Sequence, residues 1–177
     1  LFFFLSTGIT VALPASTDFD LVKERVVKEY LTSEVDKEEI QQLLTSQNPD
    51  GTWPGINYQD VSRTGFEHYF HTGNMVTLAK AYQHPNSTFR GSPKVKQAIS
   101  NALDHWVQND YFCDNWWYNQ IGIPNNLVAV MLLLGDELPE ELVQATQPII
   151  GRAHLNASGA RPSGDRIKIA GILAKNL

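Results

Sequence analysis

Apolar residues recur along this chain at intervals of three and four, and no alternating run long enough for a strand appears between Asp18 and Leu177. Spacing of that kind places one face of a helix on a core. Phe19, Val22, Val26, Val27, Tyr30 and Leu31 predict a helix over Asp18–Thr32, with Asp18 as its N-cap. Ile40, Leu43 and Leu44 continue the pattern over Ser33–Ser46. Gly65–Tyr82 carries Phe66, Tyr69, Phe70, Met75, Leu78, Ala79 and Tyr82 inward. Ser92-Pro93 pairs a cap residue with a proline at the first helical position, and opens a helix to about Gln108. Pro124 opens Asn125–Leu134, which Gly135 closes. That helix is apolar on nearly every side, so it belongs inside the molecule. Pro139 opens Glu140–Arg152, with a kink at Pro148, and Asp165–Leu177 is the last helix.

Between these helices stand turn residues and aromatic residues. Asn48-Pro49-Asp50-Gly51-Thr52-Trp53-Pro54-Gly55 is a turn cluster around Asp50-Gly51, where glycine takes positive φ without steric cost. Trp53 either plugs that loop or lines a surface, and the plug is the simpler expectation. The architecture predicted is all-α: a partial (α/α) toroid built of successive antiparallel helical hairpins, whose joining loops line one groove.

Composition narrows this little. At 177 residues, 42% apolar and 19% charged, the chain has the make-up of one globular domain. The single cysteine, Cys113, excludes an internal disulfide framework. A net charge of −5 gives no general basic field for nucleic acid. Charge is uneven, however. Residues 151–177 carry Arg152, Arg161, Arg166, Lys168 and Lys175 against Asp165 alone. Leu1–Leu13 is apolar, too short to span a bilayer, and similar to the apolar core of a secretory leader without its charged start. Residues 1–16 are therefore set apart as a leader remnant, and 17–177 as the domain. Both ends read as cut, so a fragment of a longer exported protein is expected.

The most unusual stretch is Cys113-Asp114-Asn115-Trp116-Trp117-Tyr118-Asn119-Gln120-Ile121-Gly122-Ile123-Pro124. Two adjacent tryptophans cannot both face one core from a regular element, and each buried indole N–H or amide needs a partner. Either Trp116 and Trp117 are packing anchors, or they form a stacking wall in an open groove, with Asn115, Asn119 and Gln120 offering amides to sugar hydroxyls or carboxylates. Asp165-Arg166 follows a glycine-containing loop at a helix start. Asp165 is either a plain N-cap or part of a polar site, and Arg166 and Arg161 could fork onto a carboxylate or sulfate. His68 and His71 share a helical face, but without a third ligand they make no metal site. Neither a nucleophile elbow nor a phosphate loop is present. Asp104, Asp110 and Asp114 read as helix-end polar residues.

The runs Asn48-Pro-Asp-Gly-Thr-Trp-Pro-Gly-Ile-Asn-Tyr58 and Asn115-Trp-Trp-Tyr-Asn-Gln-Ile-Gly-Ile-Pro124 resemble the N-terminal α-domain of the polysaccharide lyases that include chondroitin AC lyase, hyaluronate lyase and xanthan lyase. The resemblance spans about Asp18–Leu177. It implies an incomplete α/α toroid and β-elimination on an acidic, uronate-containing polysaccharide, with no cofactor, no metal, no nucleic-acid or membrane partner, a monomeric state and a secreted or periplasmic location. It implies an aromatic substrate patch at Trp116 and Trp117. It puts Asp165 where the family has a carboxylate-neutralising asparagine, and it places the catalytic His, Tyr and Arg downstream of Leu177. A non-catalytic glycan-binding toroid and a toroid hydrolase of acidic oligosaccharides are the alternatives.

Overall fold

The computed structural model describes residues 18–156 and 163–176, and among these all regular structure is helical, with no strand. The seven helices described are α1 (Asp18–Tyr30), α2 (Lys37–Ser46), α3 (His68–Gln83), α4 (Pro93–Asn109), α5 (Ile123–Leu134), α6 (Glu140–Ile150) and α7 (Ser163–Lys175). The leader-like segment 1–16 and Arg161 lie outside the described residues.

Two layers result. In the inner layer α5 is flanked by α3 and α7; α2, α4 and α6 cover it from outside. The apolar run of α5 dictates its place: Leu127, Val128, Ala129, Val130, Leu133 and Leu134 are all buried. The core continues through Met75 and Leu78 of α3, Ile99, Leu103 and Trp106 of α4, Ile150 of α6, and Ile169 and Ile172 of α7. The inner helices run parallel. Thr72 on α3 meets Asn126 on α5, and further along both helices Gln83 reaches the Leu133 carbonyl. Lys168 on α7 stands over Trp117, and Lys175 reaches Asn125.

Parallel inner helices with antiparallel outer ones bring every loop that enters an inner helix to the same end. Asn115 Nδ2 donates to the Arg63 carbonyl at 2.9 Å, tying the loop before α5 to the loop before α3. Arg152 forms an ion pair with Asp110, tying the loop after α6 to the loop after α4. That end is the expected groove, and the expected toroidal hairpins stand as drawn from the sequence.

Some boundaries differ for identifiable reasons. α2 starts at Lys37 rather than Ser33, because Asp36 caps it by accepting from the Glu38 and Glu39 N–H groups. α3 starts at His68 rather than Gly65, since Ser62 and Asp60 hold the preceding loop in turns. α7 starts at Ser163, which puts Asp165 inside the first turn rather than at the N-cap. The largest correction concerns Pro124. It does not open a helix. The helix has already begun at Trp116 and passes through a π-helical turn, Tyr118–Gly122, before α5. Proline lacks an N–H and crowds the carbonyl four residues back. The wider turn, in which the Ile123 N–H bonds to the Tyr118 carbonyl, shifts the register just ahead of that ring.

Candidate functional site

The groove end is built around that π-helical turn. Asn115 stands at the head of the helix, and its Oδ1 accepts the Trp117 N–H at 3.0 Å while Nδ2 holds the Arg63 carbonyl. Asn119 is buried, and its side chain bridges both backbone groups of Cys113, Oδ1 accepting the N–H at 3.2 Å and Nδ2 donating to the carbonyl at 2.7 Å. Both amides shape the loop that carries the tryptophans. Asn119→Ala would leave two groups of buried Cys113 unpaired. It is expected to cost about 2–4 kcal/mol, read as a fall in the thermal midpoint. A change under ~0.5 kcal/mol would show that the bridge is dispensable.

Trp117 lies against Gly122. A Cβ at Gly122 would stand 2.8 Å from Trp117 Cζ3 and 3.2 Å from Tyr69 Cε2, so only glycine leaves room for the ring. Tyr69 and Tyr118 meet that indole edge-on, at 6.2 and 5.4 Å between centroids. The Ile-Gly-x-Pro run therefore has two physical duties: glycine seats an indole, and proline sets the register.

Lys168 completes this face. Its Nζ stands 5.6 Å above the Trp117 ring, within cation–π range, and 3.3 Å from Asp165 Oδ1. The sequence-selected Trp117 and Asp165 are thus brought together, and Lys168 joins them. The partner of Asp165 is Lys168 one turn on, and Arg166 is exposed. Trp116 and Gln120 do not share this face. They line a separate cleft with Phe112, Arg152 and His154. The two tryptophans therefore serve two sides, as adjacency in a helix requires.

Behind the groove lies a histidine–tyrosine cluster that the sequence offered only as a failed metal pair. His71 Nε2 sits 2.9 Å from the Ala102 carbonyl, which can only accept, so the proton is on Nε2. Nδ1 then accepts the Tyr58 O–H at 2.9 Å, and the Tyr58 oxygen accepts the Trp53 N–H at 3.0 Å. Trp53 is the plug, 3% exposed, with its indole N–H on the Leu43 carbonyl. Burial above all pushes His71 down to about 4, and lowers His68 as well. Burial raises Tyr58 to about 12. Among the described residues no group of three His, Cys, Asp or Glu side chains is placed to hold a metal ion.

Comparison with known proteins decides the family. The model of polysaccharide lyase family 8, N-terminal α-helical domain, matches residues 13–160. The chain belongs to polysaccharide lyase family 8. A chondroitinase-AC of Pedobacter heparinus is 32% identical over 136 residues, covering 75% of this chain and 19% of that enzyme. A chondroitinase AC lyase structure, solved with oligosaccharides, superposes with a TM-score of 0.78 at 25% identity, over 89% of this chain and 24% of that one. A Paenibacillus xanthan lyase shares the fold at a TM-score of 0.71 and 20% identity, over 90% of this chain and 17% of that one. This family 8 chain thus spans about a sixth to a quarter of the relatives' length. Within the family 8 domain, sequence reasoning singled out Trp117, gave Lys168 and Arg152 only as members of a basic C-terminal stretch, and did not reach Phe112. The signal for Lys168 was available: it lies one helical turn after Asp165.

Proposed function

We propose that this chain supplies the aromatic wall of the substrate cleft in a lyase that cleaves a uronate-containing polysaccharide, a glycosaminoglycan such as chondroitin or hyaluronan, by β-elimination. The observation that carries this reading is Trp117, seated on Gly122 with the Lys168 ammonium over its ring, in a family 8 domain. An indole face stacks on the C–H face of a pyranose. An ammonium beside it meets the uronate carboxylate and offsets the charge of Asp165. In β-elimination a base removes the proton at C5, charge develops toward the carboxylate, and neutralising it there lowers the barrier. The glycosidic oxygen leaves with a proton from an acid. Those proton-transfer groups are assigned to the part of the lyase that this chain does not span. Asn115 and Asn119 hold the loop that carries the wall.

A polymer substrate implies an exported enzyme, secreted or periplasmic, acting as a monomer. No described helix is long and apolar enough to cross a membrane. The 177-residue chain is expected to bind chondroitin oligosaccharides weakly and to release no unsaturated product. Calorimetry with Trp117→Ala should show affinity reduced about tenfold. Unchanged affinity, or unsaturated uronate accumulating with this chain alone, would overturn the assignment.

One observation favours a second reading, a glycan-binding toroid without catalysis. An acid, Asp165, stands at the position where the family resemblance puts an asparagine. Absence of a new double bond in polysaccharide treated with the full-length parent would select it.

A further inference from the structure

We propose that the cavity between α1 and the C-terminal halves of α3, α5 and α7 binds a small amphipathic carboxylate, an apolar body with one anionic head. It lies at the far end of the inner helices from Trp117 and does not rest on the polysaccharide reading. The cavity holds about 620 Å³, within the range of small-molecule sites and far more than a bare inorganic anion fills. Val22 and Val26 of α1, Leu132 of α5 and Ala174 of α7 give it apolar walls.

Tyr30 of α1 gathers two ammonium groups in this cavity. Lys80 Nζ stands 5.8 Å from the centre of its ring and Lys175 Nζ 5.7 Å, both within cation–π range. Lys175 also donates to the Tyr30 oxygen at 3.2 Å and to Asn125 Oδ1 at 3.1 Å, which leaves one of its three N–H groups over. Among the described residues Lys80 Nζ has no hydrogen-bond acceptor, and neither lysine has a carboxylate in ion-pair reach. Lys23, a third cation of the wall, is paired with Asp136. Glu29, the one carboxylate among the described lining residues, is exposed and pairs with none of the three.

A lysine in the last turn suits the dipole of α3 and of α7, which accounts for a cation at each position. It does not account for two half-buried cations held at one ring. Like charges that near repel, and a carboxylate between them turns the repulsion into two charge-assisted hydrogen bonds. Gly171 supplies the second observation. It stands inside α7, where glycine weakens a helix, and a Cβ there would meet no atom within 4 Å. Packing therefore does not demand glycine, and the missing side chain is room in the cavity wall, one turn from Ala174. Cations at one place and apolar surface along the rest select an anionic head on a hydrocarbon body.

The test titrates the 177-residue chain with decanoate below its micelle concentration, with decanol and acetate as controls. Decanoate is expected to shift the methyl resonances of Val26, Leu132 and Ala174, to leave the Trp117 indole in place, and to raise the thermal midpoint. Decanol keeps the body without the head, acetate the head without the body, and each should bind about tenfold more weakly or worse. Lys80→Met removes an ammonium that holds no hydrogen bond among the described residues. It should weaken decanoate about tenfold and leave decanol unchanged. Gly171→Leu fills the cavity from a position with open space, so the fold is kept and the decanoate shifts are lost. Equal binding of decanoate and decanol, decanoate affinity unchanged in Lys80→Met, or decanoate shifts surviving in folded Gly171→Leu would each overturn the site.

Discussion

Gly51→Ala is expected to cost about 3–4 kcal/mol, enough to remove most of the stability of a domain of this size. Gly51 has φ +85°, and a Cβ built there would stand 2.3 Å from the Asn101 carbonyl oxygen and 2.6 Å from its carbon. Both atoms are α4 backbone and cannot turn away. The turn is locked from within, since Thr52 donates twice to Asp50 and accepts twice from Asn48, while Gln47 Nε2 donates to the Ala98 carbonyl. Relief would therefore mean lifting the whole turn from α4 and drawing out Trp53. Gly55→Ala is the control. It has φ +86° but open space around the position, so only the backbone strain of about 1 kcal/mol is expected. Urea unfolding of the two variants separates the terms. Midpoints that agree within ~0.5 kcal/mol would sink the claim that close approach, rather than φ, demands glycine at 51.

The second large effect is acid sensitivity at a pH where most carboxylates are still ionised. His71 is fully buried and held neutral, with both ring nitrogens satisfied in that form. Its folded value of about 4 lies below the ordinary 6.5, chiefly through burial, with His105 and His68 adding repulsion and Asp50 opposing it. The unfolded chain therefore binds a proton that the folded chain refuses. Stability from this group is complete above pH 6.5, falls as pH drops, and levels off below about 4. The loss is about 2 kcal/mol by pH 5 and about 3 kcal/mol in full. His68, also lowered by burial, acts in the same direction against the pull of Asp60 and Glu67. Urea midpoints measured from pH 7 to 5 should fall, and His71→Gln should flatten most of that slope. A wild-type midpoint constant across the interval would overturn the account.

The helical periods of α4 and α6 were legible because each buries one broad stripe, and α5 because it is apolar on nearly every side; both patterns are written locally. The Trp53 plug was legible because turn residues on both sides of it leave an indole only inward or outward. The start of the helix at Trp116 was not. Pro124 carries a strong local signal for a first turn, and nothing local announces that a π-helical turn precedes it, or that Trp117 seats on Gly122 there beside Tyr69. Asp165 misled in the same way. Its spacing suits an N-cap, but α7 begins two residues earlier and turns the carboxylate to Lys168. The His68–His71 spacing raised metal chemistry and dismissed it, without reaching Tyr58 or Ala102, which lie in other elements.

By itself the sequence determined the all-α class, the order of hairpins, the inner place of α5 and the motif that marks the family, because periodicity, turn chemistry and motif are properties of neighbours along the chain. Only the tertiary structure decided which side chains meet at the groove. Trp116 and Trp117 are adjacent in sequence yet face different clefts, one beside Arg152 with Asp110, the other beneath Lys168. That division is set by which loops the parallel inner helices bring to one end, and so by contacts across 42 to 52 residues that no local pattern encodes.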